Sequence, residues 1–181
     1  MSVIQEALPA SALACVEKLR SLDLSPIAAY LINPQNGYGW TRQQVFRAIK
    51  RYKTFLLVNY LYPEIPLVPT QDIDCLWHCH ILHTRKYRQD CEMLFGYFID
   101  HEPNSELWSE ANQQILDDAF AQTQALLSHF EKYFEEALEE VKFPRSMSLK
   151  LEKYQLKEGN DDNQWDLHLY RSACGRPTDN C

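Results

Sequence analysis

The sequence predicts a mainly α-helical protein, a compact bundle of roughly four to six helices, on the strength of three observations. Glycine is scarce, with 5 among 181 residues, whereas leucine, glutamate, glutamine, alanine and lysine are frequent. Such a composition favours helices over a turn-rich β fold. Apolar residues recur at spacings of three and four along most of the chain, as on the buried face of a helix. Prolines and capping residues separate these periodic segments from one another.

Three helices are expected in the first third of the chain. The apolar residues of segment 9–22 recur at helical spacing, and Pro26 opens a second, shorter helix. A third helix begins after Thr41 and runs to about Leu61. A capping box marks its start, because Gln44 stands three residues after Thr41 and can return a hydrogen bond to the backbone there.

A central helix is predicted from Thr70 to Gly96. The segment 62–70 before it contains three prolines, which exclude a helix there. Thr70 can cap the central helix, with Asp72 and Asp74 near its positive N-terminal end. Together with the short connector that follows, this helix holds four of the six histidines and three of the six cysteines. Any chemistry of the protein is therefore expected here.

The last part of the chain is expected to form a long helix and a C-terminal extension. Helical periodicity runs from about Glu106 to Val141 and ends before Pro144. Beyond Pro144, two segments of alternating polarity flank a polar loop, a pattern typical of a β-hairpin. We therefore assign residues 1–143 to a helical domain and residues 144–181 to a short extension with a flexible tail.

Charge and hydropathy limit the classes of partner. The formal net charge is -7, which argues against nonspecific nucleic-acid binding because such binding needs a cationic surface. The N-terminus lacks the pattern of a signal peptide, and no apolar run approaches the roughly 20 residues of a membrane span. We expect a cytoplasmic protein, a monomer or weak dimer, with no nucleic-acid or membrane partner. Its six cysteines are then expected mainly as free thiols or ligands.

Helical geometry sorts the residues of the central helix into faces. At about 100° per residue, His78 and His80 point to opposite sides of a regular helix and cannot chelate one ion together. One face carries His80, Tyr87 and Cys91 among apolar residues. Asp74 and His78 stand four residues apart on the other face, where a carboxylate and an imidazole can pair.

The leading functional prediction is a metal or small-molecule site on the inward face of this helix. His80 serves there as a metal ligand or acid/base group, Tyr87 and Cys91 contact the bound cofactor or ligand, and His101 returns from the connector. The candidate metal-binding residues are Asp74, His78, His80 and His101. Imidazole suits zinc, iron or copper. The sequence leaves open which metal or small molecule is bound and whether the protein is an enzyme.

Two other interpretations stay open. In the first, the polar residues around His80, with Thr84 and Tyr87, form a buried hydrogen-bond network, a polar seam in the core. The protein is then a non-catalytic protein-interaction module with a protein partner. In the second, a metal binds along a third flank of the helix, which is formed by Cys75, Cys79 and His83.

The central segment also carries a longer motif, Asp74-x-x-Trp77-His78-x-His80…Tyr87-x-x-x-Cys91…Gly96…His101-x-Pro103. Over roughly residues 66–103 it resembles the glycine-rich domain-containing protein-like family. The resemblance implies that the motif residues of that family are here Asp74, Trp77, His78, His80, Tyr87, Cys91 and His101. Members of that family are largely uncharacterised, so the resemblance implies little chemistry. Some longer plant members add an RNA-binding module and a glycine-rich tail. With 5 glycines in this chain, an RNA role is not carried over.

Overall fold

The structure of the protein, a computed structural model, describes residues 10–35, 37–101 and 113–138. Six helices and no strand are present within these ranges, so the prediction of a mainly α-helical bundle is confirmed. In chain order the helices are α1 Ala10–Ser21, α2 Ser25–Ile32, α3 Arg42–Leu61, α4 Gln71–Leu82, α5 Thr84–Phe95 and α6 Gln113–Leu138. None of them is long and apolar enough to cross a lipid bilayer. The hairpin and tail predicted for 144–181 lie outside the described residues, and the boundary at residue 143 stays a prediction.

Helix α3 is the centre of the bundle and packs against α1, α2, α4 and α6. The predicted capping box is present at its start. The Thr41 hydroxyl accepts a hydrogen bond from the Gln44 amide at 3.2 Å, and the Gln44 side chain accepts one from the Thr41 amide at 2.8 Å. Tyr52 and Phe55 of α3 are fully buried. The Phe55 ring lies 5.3 Å from that of Trp77, so α3 supports the helix that bears the histidines.

An ion pair between helices holds the start of α4. Arg51 of α3 donates from Nη1 to both carboxylate oxygens of Asp72, at 2.9 and 2.7 Å. Thr70 is the N-cap residue of α4 as predicted, but its side chain makes no capping hydrogen bond, and its hydroxyl donates to Asp72 Oδ1 at 2.5 Å. The Asp72 side chain is only 3% exposed. The hydrogen bonds from its partners must therefore offset the free energy that this carboxylate loses on leaving water. These contacts of Asp72 hold the first turn of α4, which also carries Asp74.

The predicted central helix is interrupted at His83, which separates α4 from α5 with φ −82° and ψ 55°. In a continuous helix the Cys79 carbonyl would accept the His83 amide. Here that carbonyl lies 2.8 Å from His83 Nδ1, while the His83 amide donates to the His80 carbonyl at 3.0 Å. The imidazole thus takes the place of a backbone donor and ends α4 in a tighter turn. The direction of α5 is therefore not the continuation that a regular helix would give.

Candidate functional site

Three side chains with metal-ligand chemistry converge at the first turns of α4, namely Asp74, His78 and His101. One donor atom from each lies within 4.8 Å of the other two. His101 Nε2 is 2.8 Å from Asp74 Oδ1, and His78 Nε2 is 3.7 Å from the same oxygen. The two imidazole rings lie 4.5 Å apart between centroids. The pairing of Asp74 with His78, predicted from their spacing, is thus present and is joined by His101.

The connector after α5 brings His101 to this place. Gly96 ends α5 in the left-handed conformation with φ 78°, which a glycine adopts without steric cost. The chain then turns back along α4, and the Tyr87 hydroxyl donates to the Ile99 carbonyl at 2.7 Å. The His101 ring lies 4.3 Å from the ring of Trp77. His101 is consequently seated between Trp77 and the carboxylate of Asp74.

Two of the three distances between these ligand atoms are close to what a small transition-metal ion requires. Ligand atoms about 2.0–2.2 Å from a tetrahedral ion are roughly 3.3 Å from one another, and the two contacts to Asp74, 2.8 and 3.7 Å, bracket that value. Two imidazoles and one carboxylate suit zinc or ferrous iron. The Asp74, His78 and His101 side chains are 16%, 33% and 13% exposed, so water and ions can reach the group.

His80 occupies a different environment, between α3 and α5. Its Nδ1 is 2.9 Å from the Tyr52 hydroxyl and its Nε2 is 2.8 Å from Asp90 Oδ2. A carboxylate only accepts, so Nε2–H donates to Asp90 and Nδ1 accepts from Tyr52. Burial lowers the pKa of His80 although the hydrogen bond to Asp90 opposes this. Both ring nitrogens are therefore engaged by the protein, and a metal at His80 would have to displace Tyr52 or Asp90.

Tyr87 and Cys91, the predicted cofactor-contacting residues, lie beside the connector. Tyr87 is 2% exposed; its hydroxyl accepts from Trp77 Nε1 at 2.9 Å as well as donating to Ile99. Burial raises the pKa of the Cys91 thiol, while hydrogen bonds with the Ile99 backbone and with the Tyr87 side chain oppose this. Both side chains thus contact the connector that carries His101.

The structure places the members of the two other interpretations as follows. Thr84 is exposed at the start of α5, and Tyr52 and Asp90 take the partner roles in the network around His80. On the third flank, a hydrogen bond from Cys75 lowers the pKa of the Cys79 thiol. The imidazole of His83 lies 2.8 Å from the backbone carbonyl of Cys79. Within the described ranges, this flank does not form a group of three metal-binding donors.

Sequence reasoning missed two of the residues that surround His80. Tyr52 is 28 residues from His80 in the chain, on another helix. Asp90 is ten residues away, a separation that does not put two side chains on one face of a regular helix. Only the break at His83 directs α5 so that Asp90 meets His80. The residues next to a buried tyrosine in a helix do not indicate which distant side chain its hydroxyl will contact.

The described part of the chain is helical, and its candidate site lies on α4 and on the connector after α5. The model of the UCP032817-like family matches residues 37–124, which include α3, α4, α5 and the first part of α6. Glycine-rich domain-containing protein 2 of Arabidopsis thaliana is 38% identical over 73 residues, covering 36% of this chain and 9% of that protein. Glycine-rich domain-containing protein 1 of the same plant is 34% identical over 82 residues, covering 43% and 10%.

These matches confirm the resemblance predicted from the motif. The match extends over about a tenth of the length of the two curated relatives, with 9% and 10% covered. No solved structure matches the chain significantly. The relatives' names state a glycine-rich domain and no reaction, substrate or cofactor.

Proposed function

We propose that the protein binds a divalent transition metal through Asp74, His78 and His101. The observation that carries the proposal is the convergence of their three donor atoms within 4.8 Å. His101 comes from a connector 27 residues away from Asp74 in the chain. A chance approach of one histidine to one carboxylate is common, whereas two imidazoles against one carboxylate oxygen form a set that metals use.

The chemistry of the proposed site follows from its ligand count. Three protein ligands leave at least one coordination position open, as in catalytic rather than structural zinc sites. A metal held there would supply Lewis acidity, and water or a small molecule would take the open position. The side chains of the site are partly exposed, so a small molecule can reach it.

The proton that now joins His101 to Asp74 is the main competitor of the metal. Since the carboxylate of Asp74 accepts, His101 donates from Nε2 across the 2.8 Å contact. A metal that takes these two atoms displaces that proton from Nε2, and a neutral ring then carries its one hydrogen on Nδ1. The hydrogen bond holds both ligands close together before a metal arrives.

The test is a zinc titration of untagged, chelator-treated full-length protein by calorimetry. One zinc ion should bind per chain, and His78→Ala and His101→Gln should each weaken binding at least about tenfold. His101→Gln keeps a donor for Asp74, so the connector stays in place. His129→Ala, an exposed histidine of α6, is the control and should bind zinc as the wild type does. Wild-type protein that takes up neither zinc nor ferrous iron would contradict the proposal.

A second candidate function is the protein-interaction module with a polar core seam. It is favoured by the closed hydrogen bonding of His80 with Tyr52 and Asp90, which serves packing without any ligand. Apolar side chains near the helix break and connector, Leu82 at 73% and Tyr97 at 51%, are exposed. This candidate expects no bound ion in the same titration. Its own test is whether Leu82→Ser and Tyr97→Ser abolish binding of a purified partner while the fold is kept.

A further inference from the structure

We infer that Tyr87 is a positioning residue of the proposed metal site, acting on His101 through the connector rather than touching the ion. This inference rests on the proposed function. It gives a role to a buried tyrosine that lies away from the three donor atoms. The observations that carry it are the hydroxyl contacts of Tyr87 with Ile99 and with Trp77.

Two partners of the Tyr87 hydroxyl have a fixed hydrogen-bonding role. The indole nitrogen of Trp77 can only donate, and the carbonyl of Ile99 can only accept. The hydroxyl therefore accepts from Trp77 Nε1 at 2.9 Å and donates its single proton to Ile99 at 2.7 Å. Tyr87 is only 2% exposed, so water cannot readily replace either partner.

Both partners of that hydroxyl also determine where His101 lies. Ile99 is two residues before His101, and its carbonyl is held from the side of α5. Trp77 presents its ring to the imidazole of His101 with centroids 4.3 Å apart. The hydroxyl thus fixes a backbone point next to His101 and the aromatic ring on which His101 rests. A shift of either would move Nε2 away from Asp74.

A second contact holds the same backbone point. The backbone of Ile99 hydrogen-bonds the thiol of Cys91, and burial keeps the pKa of that thiol above its ordinary value. Cys91 is 3% exposed and in this state is a neutral partner of the connector rather than a thiolate. Tyr87 and Cys91 lie four residues apart, one turn of α5, and so hold Ile99 from one helix face.

The expected effect is that of an outer-shell partner of a metal ligand. Residues that orient ligands without touching the ion usually change affinity by about 10- to 100-fold. Tyr87→Phe removes one oxygen and leaves the ring in its place. The dissociation constant for zinc should rise by about tenfold or more, because His101 is no longer held in position before binding.

A matched control separates positioning from stability. Tyr52 is also a fully buried tyrosine, and its hydroxyl bonds the His80 ring at 2.9 Å rather than the connector. Tyr52→Phe should lower the unfolding free energy about as much as Tyr87→Phe, yet leave zinc affinity within about twofold of the wild type. A stability effect alone would move both variants together.

The experiment combines zinc calorimetry with amide hydrogen exchange of the metal-free full-length protein. Tyr87→Phe should weaken zinc binding and speed exchange at Asp100 and His101, and Tyr52→Phe should do neither. If zinc binds the wild type and Tyr87→Phe with equal affinity, the positioning role is refuted and the metal site stands. If the wild type binds no metal, the proposed function itself fails. Equal weakening in both phenylalanine variants would also overturn the inference.

Discussion

The imidazole of His101 donates to the carboxylate of Asp74 at 2.8 Å, and this contact joins the connector after α5 to the first turn of α4. The same oxygen of Asp74 lies 3.7 Å from His78. One carboxylate oxygen is thus shared by two histidines, which approach it from different parts of the chain. Because both contacts depend on Asp74, this residue is the most informative single position to change.

Asp74→Asn should weaken zinc binding by at least about tenfold while the helical content is kept. The amide has nearly the same shape, but it removes the negative charge that favours a cation and loses a strong ligand. Calorimetry and circular dichroism measure the two properties. Asp100→Asn, at an exposed carboxylate on the same connector, is the control. Unchanged zinc affinity in Asp74→Asn would exclude Asp74 as a ligand.

His80→Ala should lower the unfolding free energy by roughly 2–3 kcal/mol, because a cavity forms and buried groups lose a partner. Tyr52 loses its hydrogen-bond acceptor, and Asp90 loses the imidazole donor but keeps Lys86 at 2.9 Å. Urea denaturation measures the loss. Zinc affinity should stay that of the wild type. Loss of stoichiometric zinc from folded His80→Ala would instead place the metal at His80.

Stability should fall in mild acid because of His80. Burial sets the folded-state pKa of His80 below its ordinary value of 6.5, so between these two values the unfolded chain binds a proton that the folded protein does not. Unfolding free energy therefore decreases as the pH falls from about 6.5 towards the folded-state pKa. Denaturation curves of the metal-free protein between pH 7 and pH 5, the range in which histidine side chains change charge, measure this decrease in unfolding free energy. His80→Gln should remove this part of the slope, and an identical slope in both proteins would exclude His80 as its source.

Asp72→Ala should cost about 2 kcal/mol of stability, since the Arg51 guanidinium loses its hydrogen bonds to the buried carboxylate. The Arg51 side chain itself is 26% exposed and keeps Glu131 at 3.5 Å. Asp72 is 3% exposed and lies 2.7 Å from Arg51. Thermal or urea unfolding provides the measurement. The comparison is Glu17→Ala, which breaks a surface pair with Arg20 whose acid is 68% exposed, and should change stability by less than about 1 kcal/mol. Similar losses in the two variants would contradict a special role for the buried pair.

Gly96→Ala should destabilise the protein by about 1 kcal/mol through its backbone alone. The φ of Gly96 is 78°, and a Cβ added there would meet nothing within 4 Å, so no clash is involved. Gly96→Asn should be tolerated better, because asparagine enters the left-handed region more readily. Urea midpoints of the two variants compare them directly. Equal losses of stability in Gly96→Ala and Gly96→Asn would contradict the prediction that the left-handed backbone conformation causes the effect.

The local features of the fold were predictable because they depend on neighbours in the chain. The capping box of Thr41 and Gln44, the end of α5 at Gly96 and the pairing of Asp74 with His78 involve residues no more than four apart or one residue's own φ. The break at His83 is an exception. It depends on an imidazole replacing a backbone donor, and no spacing in the sequence distinguishes that side chain from one pointing to solvent.

The sequence by itself determined a helical protein and the segment in which the histidines, Asp74, Tyr87 and Cys91 are collected. Only the tertiary structure decided which of them meet. His101 lies against Asp74 and His78 rather than His80. The reason is that the Tyr87 hydroxyl holds the connector at the Ile99 carbonyl, and the Trp77 ring of α4 packs against the His101 ring. His80 is instead enclosed by Tyr52 and Asp90. These contacts join separate elements, and their partners are set by the packing of α3, α4 and α5, which helical periodicity does not encode.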